Sequence, residues 1–122
     1  MHEDLLRDRH ILLVEDEYFI AVSMQRGLED VGAHVVGPAA SVGKALSLLA
    51  GTLVDGAILD VNLGEERVYP VADVLADSGI PFVFATGYSA LDLPPKWRHI
   101  RRYEKPVDPV IVARGLLGDN AS

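Results

Sequence analysis

Three short apolar runs in this chain each end in residues able to act on a cation or an anion. Ile11-Leu12-Leu13-Val14 leads into Glu15-Asp16, Gly56-Ala57-Ile58-Leu59 into Asp60, and Phe82-Val83-Phe84-Ala85 into Thr86. A further short segment, Arg101-Arg102-Tyr103-Glu104, leads into Lys105-Pro106. Carboxylates are costly neighbours: two unit charges ~4 Å apart repel by about 4 kcal/mol at the effective dielectric of a protein surface. A divalent cation removes that conflict, and an all-oxygen site with positions left for water suits Mg²⁺. With its charge screened, Asp60 is able to attack a phosphorus atom in line. Lys105 adds positive charge for the phosphoryl oxygens, and the Thr86 hydroxyl adds a donor.

Taken singly, each of these residues has a plainer reading. Acids after a strand cap helices, an Asp at a strand end caps a loop, a strand-end Thr is commonly structural, and Lys-Pro is a common turn dipeptide. The specific signal is the ordered set, each member following its own strand.

The elements that must position the set follow from local pattern. Ile11–Val14 reads as a buried strand. Residues 17–31 read as a helix with Ala21, Met24, Leu28 and Val31 on one stripe, stopped by Gly32. His34–Gly37 is a second strand, ended by Pro38. Ser41 caps a second helix with Val42, Ala45, Leu46 and Leu49 inward and Gly51 at its end. Gly56–Asp60 is the third strand, followed by a polar loop from Asn62 to Tyr69. Pro70 opens a third helix with Val71, Val74 and Leu75 inward. Phe82–Thr86 is the fourth strand and Arg101–Glu104 the fifth. Asp108 caps a last helix with Val110, Ala113, Arg114 and Leu117. Residues 1–9 are charged and read as a flexible N-terminus, residues 10–118 as one domain, and 119–122 as a tail. Alternating short strands and helices imply an α/β fold, a single doubly wound five-stranded parallel sheet covered on both faces. Right-handed crossovers bring the carboxyl ends of the strands, and with them the candidate residues, to one rim.

Composition narrows the function classes. The 122 residues fit one domain, and 49% are hydrophobic, enough for a core. With no cysteine, disulfides and thiolate metal sites are excluded. A formal charge of −7 argues against nucleic-acid binding. The apolar runs are too short for a membrane span, and the acidic start is unlike a signal peptide, so a cytoplasmic protein is expected.

Four segments together resemble the receiver domains of two-component response regulators, over about residues 10–118: Ile11-Leu12-Leu13-Val14-Glu15-Asp16-Glu17, Leu59-Asp60-Val61-Asn62-Leu63, Phe84-Ala85-Thr86-Gly87 and Tyr103-Glu104-Lys105-Pro106. The resemblance implies a flavodoxin-like (βα)5 fold with strand order 2-1-3-4-5, of which receivers are a standard example. It implies that Asp60 is the phosphoacceptor, that Glu15, Asp16, Asp60 and the Asn62 backbone carbonyl hold Mg²⁺, and that Thr86 and Lys105 assist. It further implies that Tyr103 is an aromatic switch coupled to Thr86, that the bond before Pro106 is cis, and that Asn62 and Tyr88 tune loss of the phosphoryl group. Expected partners are a histidine kinase or histidine phosphotransfer protein and a downstream protein, with the chain a monomer acting as messenger or phosphate sink rather than as an enzyme. Pro81-Phe82-Val83-Phe84-Ala85-Thr86-Gly87-Tyr88 is similar to the signature of the alphaproteobacterial "FAT GUY" single-domain receivers.

Two departures from the usual receiver pattern stand out. Glu15 is one methylene longer than the Asp that many receivers carry. Only 18 residues separate Thr86 from Lys105, and Pro94-Pro95 interrupts them. A mid-helix proline costs about 3 kcal/mol, so the fourth helix should be short or irregular, with residues 88–99 weakly held at rest. The four histidines, His2, His10, His34 and His99, lack metal-ligand spacing and read as surface or strand-end residues. Trp97 reads as a packed plug, and Lys96, Arg98, Arg101 and Arg102 as a small basic cluster.

Other functions fit less well. A Mg²⁺-dependent phosphohydrolase with an aspartyl-phosphate intermediate wants an acid two residues after the nucleophile, where Asn62 stands. A non-phosphorylated interaction module would commonly have lost one of the acids or the lysine. Flavin binding wants a Gly/Ser/Thr-rich loop after the first strand.

Overall fold

The computed structural model describes residues 4–87 and 93–117. Five parallel strands form the sheet in the order β2-β1-β3-β6-β7: β1 His10–Val14, β2 His34–Ala39, β3 Gly56–Asp60, β6 Phe82–Thr86 and β7 Arg102–Glu104. Among the described residues four α-helices cover it: α1 Tyr18–Asp30, α2 Val42–Gly51, α3 Tyr69–Asp77 and α4 Pro109–Leu116. The expected polar loop contains a small antiparallel hairpin, β4 Asn62–Leu63 with β5 Glu66–Arg67. Counted without that hairpin, the order is the 2-1-3-4-5 of the flavodoxin-like architecture, with β3 central and the strand order reversing between β1 and β3.

Alternation along the strands builds two cores. Leu12 and Val14 of β1, Ala57 and Leu59 of β3, and Phe82 and Phe84 of β6 face α2 and α3. Ile11, Leu13, Ile58, Val83 and Ala85 face the other way, toward α1 and α4. β3 and β6 are buried along their whole length. This two-sided burial is why the strands read as continuous apolar runs rather than as alternating patterns.

Helix boundaries follow their caps. Ser41 accepts a hydrogen bond from the Lys44 amide, and Asp108 accepts one from the Val110 amide. Gly32 adopts φ +97°, a conformation costly for any side chain, at the turn that ends α1. Ala21, Met24 and Leu28 are the buried stripe of α1, as the spacing predicts.

Several expectations are corrected. In α3 the buried residues are Val71, Ala72 and Leu75, while Val74 is exposed. In α4 they are Val112, Ala113 and Leu116, so Arg114 and Leu117 face outward. In both helices a near-continuous apolar stretch left the phase open. β2 runs through Pro38 to Ala39, and that proline is tolerated because β2 is an edge strand. The expected free N-terminus is docked from Asp4 on: Leu6 is buried and its amide donates to the Val31 carbonyl at 2.8 Å.

Residues 88–92 lie outside the described residues; residues 93–100 are irregular, as their prolines demand, but they are not loosely held. Residues 93–100 contain a single 3₁₀ turn, Pro95–Trp97. Leu93 and Trp97 are buried, and Trp97 lies edge-on against Phe82 and Phe84 with ring centroids 5.8 and 6.5 Å apart. Lys96 reaches Asp73 of α3 at 2.7 Å. Over residues 93–100 the prolines leave no α-helix, and aromatic packing supplies the attachment. Among the described residues no helix is long and apolar enough to cross a membrane.

Candidate functional site

β1, β3 and β6 end side by side, and each delivers its terminal polar residue to the same rim. Glu15 follows β1 directly, its amide donating to the Ala39 carbonyl at 2.9 Å. Asp60 is the last residue of β3 and Thr86 the last of β6; Asp60 pairs in register with Ala85, which puts Thr86 one residue further along. Lys105 follows β7, and its amide donates to the Thr86 carbonyl at 2.7 Å. The Lys105–Pro106 peptide bond is cis, and so is Gly37–Pro38, which the sequence did not suggest.

The side chains meet. Lys105 Nζ lies 2.7 Å from Glu15 Oε1 and 2.9 Å from Asp60 Oδ2. Each carboxylate spends its other oxygen on a local amide: Glu15 Oε2 accepts from Glu17 at 3.1 Å, and Asp60 Oδ1 from Asn62 at 3.3 Å. Oxygens of Glu15, Asp16 and Asp60 lie within 4.8 Å of one another, with Glu15 and Asp60 buried and Asp16 exposed. Burial pushes the Glu15 carboxyl above the ordinary range and the neighbouring Asp60 charge adds to this, while the bond from Lys105 opposes it. For Lys105, burial alone would favour the neutral amine; hydrogen bonds and charge from Glu15 and Asp60 outweigh it, and the pKa rises. The ammonium thus stands where positive charge is most wanted.

Thr86 is buried, and its hydroxyl has no hydrogen-bond partner among the described residues. Tyr103 pairs in register with Ala85, beside Thr86. Its ring is half-buried, its hydroxyl is buried without a partner among the described residues, and burial raises its pKa against the pull of Arg101. Asn62 is exposed beside Asp60, in β4. Tyr88 lies outside the described residues.

Chemically, the rim offers an all-oxygen donor set open on one side at Asp16, a buried carboxylate with a lysine on one oxygen, and a hydroxyl free to donate. Hard divalent cations fit such a donor set. Sequence reasoning placed these residues on one rim but missed that Lys105 grips Glu15 as well as Asp60. The signal available was the extra methylene of Glu15, which lengthens its reach. It also missed a groove of about 350 Å³ next to Lys105, lined by Phe19, Ile20, Ser23, Met24, Pro106 and Val107. Phe19 is 82% exposed at its mouth.

No protein-family model and no curated protein matches the chain. Solved structures do. SdrG from Sphingomonas melonis Fr1 is 39% identical, over 90% of this chain and 97% of SdrG, with a TM-score of 0.72. A second solution structure of SdrG is of its BeF3-activated conformation (39% identity, 96% of this chain, 98% of SdrG, TM-score 0.74). A response regulator receiver protein from Sinorhizobium medicae WSM419 is 25% identical over 96% of this chain and 98% of its own, with a TM-score of 0.77. The response regulator PhyR from Brucella abortus shares the fold at 24% identity and a TM-score of 0.75; the match takes in 97% of this chain but only 52% of PhyR. A doubly wound sheet with this acidic rim and these relatives defines one class, and the chain belongs to the response regulator receiver domains.

Proposed function

We propose that the chain takes a phosphoryl group onto Asp60 from a phosphohistidine of a histidine kinase or histidine phosphotransfer protein, with Mg²⁺ held by Glu15, Asp16, Asp60 and the Asn62 carbonyl. The observation that carries this reading is the half-buried Lys105 gripping the buried Glu15 and Asp60 at 2.7 and 2.9 Å. Two buried acids held around one lysine are a poor device for stability, because desolvating the charges costs more than their attraction reliably returns.

When bound, Mg²⁺ would neutralise the carboxylates and the phosphoryl oxygens. The chain's own residues do the rest. An Asp60 carboxylate oxygen forms the new O–P bond as the N–P bond of the donor breaks, and the electron pair leaves with the imidazole. Lys105 transfers its grip from the carboxylate to a phosphoryl oxygen. The unpartnered Thr86 hydroxyl donates to another, and Tyr103 answers by moving, so that a downstream protein reads the change. The apolar groove beside Lys105 offers the donor protein a contact within reach of Asp60. The PFVFATGY segment supports placing the chain among the FAT GUY receivers. We infer a cytoplasmic monomer that turns over no separate substrate.

Incubation with acetyl phosphate and Mg²⁺ followed by intact mass measurement tests the reading. A gain of one phosphoryl group is expected, lost in Asp60→Asn. Labelling that persists in the variant would place the acceptor elsewhere, and no labelling of either chain would favour an interaction module that is never phosphorylated.

A further inference from the structure

Gly115 sits in the last turn of α4 with a φ outside the left-handed region, so its backbone does not require glycine. Within a helix, glycine is less favourable than alanine because it leaves the chain more freedom to lose. Its reason is spatial. A Cβ built there would collide with the Tyr103 hydroxyl oxygen, and would lie 3.1 Å from Tyr103 Cζ and 3.2 Å from Arg101 Cδ. The phenol therefore rests in the place a side chain would take. That rest is itself unsatisfied, since the Tyr103 hydroxyl is buried with no hydrogen-bond partner among the described residues. Leaving a buried donor unpaired is unfavourable. Two unfavourable choices, a helical glycine and an unpaired phenol, meet at one contact.

That contact is tied to the rim. Tyr103 pairs with Ala85, next to Thr86, and Lys105 lies two residues beyond it with its amide on the Thr86 carbonyl. The Thr86 hydroxyl is likewise buried and unpartnered among the described residues. Two buried hydroxyls on adjacent strands thus await partners in this state, and movement of either strand end reaches the other.

We propose that Gly115 is a positioning residue: its missing side chain seats Tyr103 against α4 in the resting chain, and occupancy of that seat opposes the activated state of the Asp60 site. The second half rests on the phosphoacceptor reading above; the seat does not. The plainer alternative is that Gly115 only closes the packing of α4 on the sheet, without bearing on the rim.

Stability and ligand binding separate these readings through four chains: wild type, Gly115→Ala, Tyr103→Ala and the double variant. With Tyr103 present, Gly115→Ala should lower the urea midpoint. With Tyr103→Ala, the same change should raise it, because the space is empty and alanine is the better helix former. The same sign in both backgrounds would overturn the seat. Should Gly115→Ala fail to fold, folding of the double variant supports the seat and its failure overturns it. Affinity for beryllofluoride in the presence of Mg²⁺ reads the second half. Gly115→Ala should bind about fivefold more tightly or better, and that gain should vanish when Tyr103 is alanine. Equal affinity of Gly115→Ala and wild type overturns the coupling. A wild-type chain that binds no beryllofluoride overturns the phosphoacceptor reading and the coupling together, while the stability signs still decide the seat.

Discussion

At the carboxyl ends of the strands, Glu15, Asp60 and Lys105 meet with side chains 3%, 6% and 12% exposed and contacts of 2.7 and 2.9 Å. At the amino ends of the same sheet, His10 and His34 stack with ring centroids 5.1 Å apart and face Asp55 and Asp8 at 3.4 and 3.6 Å, with side chains 34–84% exposed. Similar residue types gather at both ends, under opposite physical terms. The amino-end pairs are longer and far more exposed overall, although His10 Nδ1 itself is buried, and such pairs contribute about 0–1 kcal/mol each. The rim charges are desolvated, so their arrangement matters far more and any missing partner is felt. Clustering of charge alone does not mark a functional site. Burial of charge at the ligand-binding edge of an α/β sheet does.

The contrast can be broken or sharpened by four measurements. The largest effect is expected from Lys105→Met without metal, which leaves Glu15 and Asp60 facing each other; chemical denaturation should show a loss of about 3 kcal/mol, partly recovered by Mg²⁺. A loss below 1 kcal/mol would put the rim on the same footing as the amino end.

Asp16→Ala comes next. Its exposed carboxylate adds little to stability, yet it should account for at least a tenfold share of Mg²⁺ affinity, about 1.4 kcal/mol, in a calorimetric titration. Unchanged affinity would move the cation off the rim.

A smaller, pH-dependent effect is expected from Glu15→Gln in metal-free buffer. Because the folded-state pKa of Glu15 is raised, first by burial, its contribution is whole below the ordinary value of 4.5 and is lost as pH climbs through the higher folded value. The variant escapes that loss. Its unfolding midpoint should therefore gain on wild type as pH rises from 4.5, and saturating Mg²⁺ should reverse the order. A gap that stays flat with pH would mean that Glu15 is comfortably ionised.

The smallest effect belongs to the amino end. His34→Gln should shift stability by no more than about 0.5 kcal/mol between pH 5 and 8. A larger change would show that the histidine stack is more than a solvated pair.

The fold and the rim were legible in the sequence because β1, β3 and β6 are buried on both faces and each ends in, or runs directly into, its polar residue. Three features were not, for identifiable reasons. The inward phase of α4 lies within Val110-Ile111-Val112-Ala113, where every residue is apolar and periodicity has nothing to count. Leu6 sits among charged neighbours, so only its partner Val31 reveals that the N-terminal segment is docked. Pro94-Pro95 keeps residues 93–100 from forming an α-helix, but a proline pair says nothing of how firmly an irregular segment is held. That was decided at long range, by Trp97 meeting Phe82 and Phe84. Within the site, Glu15, Asp16 and Asp60 were readable as a group, whereas the double grip of Lys105 depends on side-chain reach, which no spacing rule encodes.

Trp97 is the only tryptophan in the chain, and it lies edge-on against two phenylalanines of the strand that ends in Thr86. Its indole, sealed from water with 4% exposure, should emit toward the blue as a single homogeneous signal. Any repacking of β6 that accompanies a change at Thr86 would alter the quenching of that one fluorophore. The receiver therefore carries a label-free optical probe packed against the strand that ends in Thr86, able to follow events at the rim in real time without a dye or a tag.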